Sequence, residues 1–207
     1  MNASIYFYLK IKNNMIIQRD EIPSFIPKKP KMIFLGTMCA INARTINGKT
    51  PEMDFFYYND NRNHFWKILQ YLFEPDLEPS RLTIDQKKKF LLKHNIGIQN
   101  LVSEIQIPNH EKLDPSDTVL FDCLKKGRIT FKTIPQHDLK VFQKTPLYFT
   151  CRYKKGIHQL LESFLLQNNL KYDLIEKTWY LKTPTRCNPY KRSQEWLEEM
   201  NQHIKNF

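Results

Sequence analysis

Lys31-Met32-Ile33-Phe34-Leu35-Gly36 is the stretch on which the fold turns. Met32 to Leu35 are apolar without a break, so the segment lacks the alternation of a half-exposed strand. It reads as a strand buried on both faces, the pattern of a parallel sheet covered by helices. Gly36 ends it where a tight turn must follow, and Ala40–Asp54 is a long polar loop directly after it. Outward from there, Asn61–Leu72 reads as a helix with apolar residues at Phe65, Ile68, Leu69 and Leu72, and Thr83–Lys93 as a second. Gly97–Glu104 is a strand or a strand-to-loop junction. Ser116–Lys126 is a helix stopped by Gly127, Ile129–Ile134 and Leu147–Cys151 are strands, and Gly156–Asn168 is a helix. Leu174–Leu181 reads as the last strand and Pro189–Asn206 as a closing amphipathic helix. Toward the N-terminus, Ile22–Pro30 is an extended, proline-broken loop and Ile5–Ile11 a short strand or irregular arm. Strands alternating with helices imply β-α units and an α/β sandwich. Residues 1–207 read as one domain, with 1–25 as an N-terminal extension. Ligands in such folds bind at the carboxyl ends of the strands, so the segments after Gly36, Gly97 and Leu181 should converge.

Composition narrows the partner. Thirty-two Lys and Arg against 21 Asp and Glu give a net charge of +11, spread along the chain. Such an excess attracts polyanions through counterion release; a Lys-rich code in an AT-rich genome gives the same balance without function. Fourteen Phe and 10 Tyr supply flat side chains able to stack on bases. The four cysteines, Cys39, Cys123, Cys151 and Cys187, form no C-x-x-C pair, so they read as free thiols in a reducing compartment, with a scattered cluster as the alternative. The six histidines show no metal spacing, and the five glycines form no phosphate-binding loop. No cofactor or metal is expected. No apolar run approaches a membrane span, and Ile5–Leu9 is too short and aromatic for a signal peptide, so the expectation is a cytoplasmic protein away from membranes.

The densest chemistry lies in Phe55-Phe-Tyr-Tyr-Asn-Asp-Asn-Arg-Asn-His-Phe-Trp66. Consecutive aromatics beside amide and carboxylate groups suit a pocket that stacks a heterocycle and hydrogen-bonds its edge. A helix capped by Asn61 or Asn63 accounts for part of the same pattern. Gly36-Thr-Met-Cys-Ala40, Met53–Tyr58 and Asn63-His-Phe-Trp-Lys67 resemble the first-motif region of the uracil-DNA glycosylase superfamily. Tyr57, Tyr58, Arg62, Asn63, Phe65 and Trp66 are similar to the hypoxanthine-DNA glycosylase branch, and the Gly-initiated loop to the mismatch-specific thymine/uracil branch. Gly97-Ile-Gln-Asn-Leu-Val and Leu181-Lys-Thr-Pro-Thr-Arg-Cys187 follow in the order of the later motifs.

The resemblance implies a three-layer α/β/α sandwich with a small central, mostly parallel four-stranded sheet. It implies a protein that binds duplex or single-stranded DNA, flips a base and hydrolyses its N-glycosidic bond, with a monomer sufficient. Phe56 or Tyr57 would stack on the base and Asn100 read its edge. Lys182, Thr183 and Thr185 would hold phosphate, and Arg186 would fill the gap in the stack or stand as an ordinary solvated cation. The chain departs from the family at Met38, where active uracil enzymes place Asp or Asn, and at Lys182 and Pro184 in the final motif. The hypoxanthine branch also lacks that Asp or Asn and its Asn before x-Phe-Trp is implicated instead, so the resemblance implies Asn63 as the catalytic residue, with Thr37, Asn42 and Asp54 as alternatives and Gly36, Thr37 and Met38 forming the first-strand loop. Two other readings remain: a non-catalytic nucleic-acid binder of the same superfamily, and an α/β enzyme acting on small nucleotides or another metabolite.

Overall fold

The structure, a computed structural model, describes residues 11–12, 15–20, 22–38, 56–57, 62–108 and 117–205, with backbone only for 11–12 and 203–205. The first core strand, β3 (Met32–Gly36), forms as expected. The chain begins with β1 (Ile11–Lys12) and β2 (Met15–Arg19). After β3 come α1 (Phe65–Phe73), α2 (Ile84–His94), β4 (Ile96–Asn100), β5 (Val102–Pro108) and α3 (Asp117–Lys125). Then follow β6 (Ile129–Phe131), α4 (Gln136–Lys144), β7 (Leu147–Phe149), α5 (Lys155–Gln167), α6 (Asp173–Glu176), β8 (Thr178–Tyr180) and α7 (Pro189–Lys205).

The central sheet has the order β4-β3-β7-β8 and all of its pairs are parallel. Alternate residues of β3 and β7 serve opposite faces. Ile33, Leu35, Leu147 and Phe149 join a core with Phe142 of α4 and Ile157, Leu160, Leu161, Phe164 and Leu165 of α5. Phe34, Tyr148, Ile96 and Ile98 join the opposite core with α1, Phe90 and Leu91 of α2, and Trp196 and Met200 of α7. This is the three-layer α/β/α sandwich. Gly97 sits opposite Ile33, and a Cβ there would lie 2.8 Å from Ile33 Cγ1 and 3.1 Å from Ile26 Cδ1. The missing side chain is what lets these apolar groups close over the strand.

A second, antiparallel sheet, β1-β2-β5-β6, extends the architecture beyond the sequence reading. Val102, Ile105 and Ile107 carry it into the first core. A register shift between Val102 and Glu104 puts the buried residues out of a strict period of two, which hid β5 inside the expected Gly97–Glu104 junction. The described part of 1–25 is tied into the fold: β2 pairs with β5, and Phe25 bridges Ile98.

Other boundaries moved for local reasons. The expected strand Leu174–Leu181 is a helical turn, Asp173–Glu176, followed by the three residues of β8. Helix α1 begins at Phe65 rather than Asn61, because Arg62–His64 pair with the segment after β8. Helix α4 was not expected; of its nine residues only Phe142 is fully buried. Helix α2 starts as expected: Thr83 Oγ1 accepts the Gln86 N–H at 3.3 Å, and Gln86 Oε1 accepts the Thr83 N–H at 2.8 Å, a capping box.

Candidate active site

Because the central strands are parallel and in register, Gly36 beside Asn100 and Phe149 beside Tyr180 mark one carboxyl edge. The loop leaving β3 is fixed there. Gly36 O accepts the Leu101 N–H at 2.9 Å, and Thr37 O accepts the N–H groups of Leu101 and Val102 at 3.0 and 2.9 Å. Met38 then turns into the first core, 8% exposed. Its thioether is therefore buried rather than turned to solvent. Cys39, Asn42 and Asp54 lie outside the described residues.

Asn63 is brought to the same edge through the backbone. It bridges Thr185; the His64 N–H donates to Pro184 O at 2.9 Å and the Arg186 N–H donates to Arg62 O at 2.8 Å. The Asn63 carboxamide oxygen accepts the Phe65 N–H at 3.0 Å, so it satisfies one of the open N–H groups at the start of α1. A carbonyl oxygen carries a second lone pair, which leaves this group one acceptor site for chemistry.

Phe56 and Tyr57 lie among the buried aromatics. The Phe56 ring meets Phe25 edge-on at 6.2 Å and Trp66 at 6.2 Å; Tyr57 packs on Phe65 at 5.1 Å. Their backbone is held from below: Trp66 Nε1 donates to Tyr57 O at 2.6 Å, and the buried Lys87 Nζ donates to Phe56 O at 3.3 Å. Lys87 also sits 5.1 Å from the centre of the Trp66 ring, a cation–π contact that eases burial of its charge. Tyr57 takes a left-handed backbone, φ 47°, which is costly for a side chain of this size. Tyr58 lies outside the described residues.

Asn100, at the end of β4, is 3% exposed. Its Nδ2 donates to Asp20 Oδ2 at 2.8 Å, while its Oδ1 is buried without a hydrogen-bond partner.

The final loop is gripped by α7; the sequence reading placed this helix but missed its grip on the loop. Trp196 Nε1 donates to Lys182 O at 2.7 Å and Arg192 Nη1 to Thr183 O at 2.6 Å. Glu195 pairs with Lys182 at 3.0 Å and with Arg192 at 2.8 Å, so Lys182 already has a counter-ion. The Lys182 side chain, followed by those neighbouring charges, holds Glu195 below the usual carboxylate range. Burial pushes the Glu199 carboxyl up, against the backbone N–H of Lys182. Thr183 Oγ1 accepts the Thr185 N–H at 3.3 Å. Arg186 is exposed and left-handed, φ 52°. The spacing of Arg192, Glu195, Trp196 and Glu199 along one helix face was the available signal.

Cys151 follows β7 at the same edge, and burial, followed by nearby Asp117, pushes its thiol up to about 12, which suits an inert group. Among the described residues no group of three or more His, Cys, Asp and Glu could hold a metal ion, and no helix is long and apolar enough to cross a membrane. No protein-family profile and no curated protein matches the chain. Its backbone is similar to the solution NMR structure of a "putative uracil DNA glycosylase" from Methanosarcina acetivorans, with a TM-score of 0.50 and 16% identity over 91% of this chain and 99% of that one. What the two chains share at that identity is the fold.

Proposed function

We propose that this chain is a DNA glycosylase-like protein that takes a damaged, deaminated or modified base into the carboxyl edge of its parallel sheet and hydrolyses the N-glycosidic bond. The observation that carries the reading is the pairing of Asn63 with Thr185. It joins the backbone of the segment before α1 to the loop after β8; on this reading the Asn63 amide would hold the water and the loop would meet the phosphate backbone. The net charge of +11 supplies the attraction to DNA. Flipping a nucleotide costs a few kcal/mol, which backbone contacts and a side chain such as Arg186 would recover. In the chemical step water adds to the sugar carbon as the bond to the base nitrogen breaks. The base leaves with the bonding electron pair, and the proton lost by water ends on solvent or on the base. Asn63 Oδ1 would accept a hydrogen bond from that water and orient it. Phe56 and Tyr57 would wall the base site, and Asn100 would meet the base edge.

A second reading, a binder without turnover, is favoured by one feature: Met38, packed in the core where a water-holding side chain would serve. The test is cleavage of labelled duplex and single-stranded oligonucleotides carrying uracil, hypoxanthine, xanthine, thymine opposite guanine, or hydroxymethylated or glucosylated cytosine. Alkali reveals abasic sites. Abasic product from one base, lost in Asn63→Ala while DNA binding persists, supports the enzyme. Salt-sensitive DNA binding without product from any base supports the binder.

A further inference from the structure

Beneath the carboxyl edge lies a buried polar knot assembled from both sheets. Asp20 follows β2, and its side chain is 0% exposed against 10% for its partner Lys132, which follows β6. Asp20 Oδ1 accepts the Ile22 N–H at 3.0 Å and lies 3.4 Å from Lys132 Nζ, which also donates to the Ile22 carbonyl. The backbone fixes the pair: the Asp20 N–H donates to Ser103 O at 2.8 Å and the Lys132 N–H to Leu101 O at 2.7 Å. Asp20 Oδ2 then takes the Asn100 amide N–H at 2.8 Å. Asp20 Oδ2 acts here as the acceptor, so the nitrogen end of the Asn100 amide faces it. The opposite end, Oδ1, is buried without a partner. A buried acceptor left unmade is costly, and removing Asp20 would let the amide turn over to lose that cost.

We propose that Asp20, anchored by Lys132, is a positioning residue that locks the Asn100 carboxamide with its oxygen turned away from the knot. A heterocycle edge that reached that oxygen would have to offer a ring N–H, and one offering a bare ring nitrogen would be rejected. The choice of ligand rests on the proposed function; the lock itself does not.

The experiment has two arms on the full chain. In the first, the Asn100 side-chain amide is followed by NMR without ligand. Wild type and Asp20→Asn, which keeps an acceptor oxygen, should show slow solvent exchange, and Asp20→Ala should lose it. In the second, free uracil, hypoxanthine, cytosine and adenine are titrated. Wild type should prefer uracil over cytosine, or hypoxanthine over adenine. Asp20→Ala should narrow that preference by about tenfold, the worth of one hydrogen bond, and Asp20→Asn should restore it. If Asp20→Ala does not fold, Lys132→Met must give the same change in smaller degree. A folded Asp20→Ala with unchanged amide exchange overturns the lock, and unchanged base preference overturns its role in selection. If wild type binds none of the four bases, the base-reading function fails and the amide exchange alone decides the lock.

Discussion

Replacing Arg186 with glycine should move stability and DNA affinity in opposite directions. Arg186 holds φ 52° with a full side chain, while its N–H donates to Arg62 O at 2.8 Å. Glycine keeps that N–H and removes the left-handed penalty, about 1–2 kcal/mol. It adds about 0.5–1 kcal/mol of chain entropy to the unfolded state. The difference runs from about zero to about 1.5 kcal/mol in favour of the variant. For a domain of this size that raises Tm by up to about 6 °C, read by calorimetry. The lost cation acts the other way. If the guanidinium touches one phosphate, the slope of log affinity against log salt on a labelled duplex should fall by about 0.9. If it also fills the gap left by a flipped nucleotide, excision should drop by about ten- to a hundredfold. Destabilisation by more than about 1 kcal/mol would refute the strain argument, and an unchanged salt slope with unchanged affinity would remove Arg186 from the interface. If Arg186 serves the proposed site, its strain is the trade-off expected when activity and stability compete.

Gly97→Ala should cost about 1–3 kcal/mol in a urea titration, because its Cβ meets Ile33 Cγ1 at 2.8 Å; a variant as stable as wild type would mean the sheet yields there. Asn63→Ala should lose about 0.5–2 kcal/mol along with turnover, whereas Asn63→Asp keeps an acceptor for the Phe65 N–H and should hold its urea midpoint. An alanine variant of full stability would show that this bond does not cap α1. Burial raises the Glu199 carboxyl above its ordinary 4.5, so the folded state holds that proton more tightly than the unfolded one. Its contribution to stability is complete below pH 4.5 and is lost as pH rises through the elevated value. Glu199→Gln should flatten that part of the Tm–pH curve, and an unaltered curve would assign the slope elsewhere.

The parallel sheet was legible because its strands are buried on both faces: Ile33, Phe34 and Leu35 are each 0% exposed, and unbroken apolar runs mark such strands. The antiparallel sheet was not, since the bulge in β5 breaks the phase that would have declared it. Asn63, Asn100 and the 182–186 loop were named as candidates from local composition and motif order, and the bridge between Asn63 and Thr185 joins two of those three segments directly. Asp20 and Lys132 could not be found that way. A single Asp after Arg19 and a single Lys after Phe131 look like ordinary strand-end residues, and the 112 positions separating them carry no periodic signal. Pairing at that range is specified by the whole packed chain. The start of α1 failed for a related reason: Asn61 and Asn63 both look like caps, but contacts of Arg62 and His64 with the far end of the sequence move the start to Phe65, with His64 at the cap.

Lys87 gives the aromatic segment an internal reporter. Most lysines with described side chains are open to solvent and should react quickly with an amine-modifying reagent, whereas Lys87 is 2% exposed, with its ammonium on Phe56 O and over Trp66. It can be labelled only when α2 lifts from Phe56 and Tyr57. Its labelling rate therefore counts openings of that wall, and a molecule that settles against the wall should slow this one lysine while leaving the surface lysines of α2 as reactive as before.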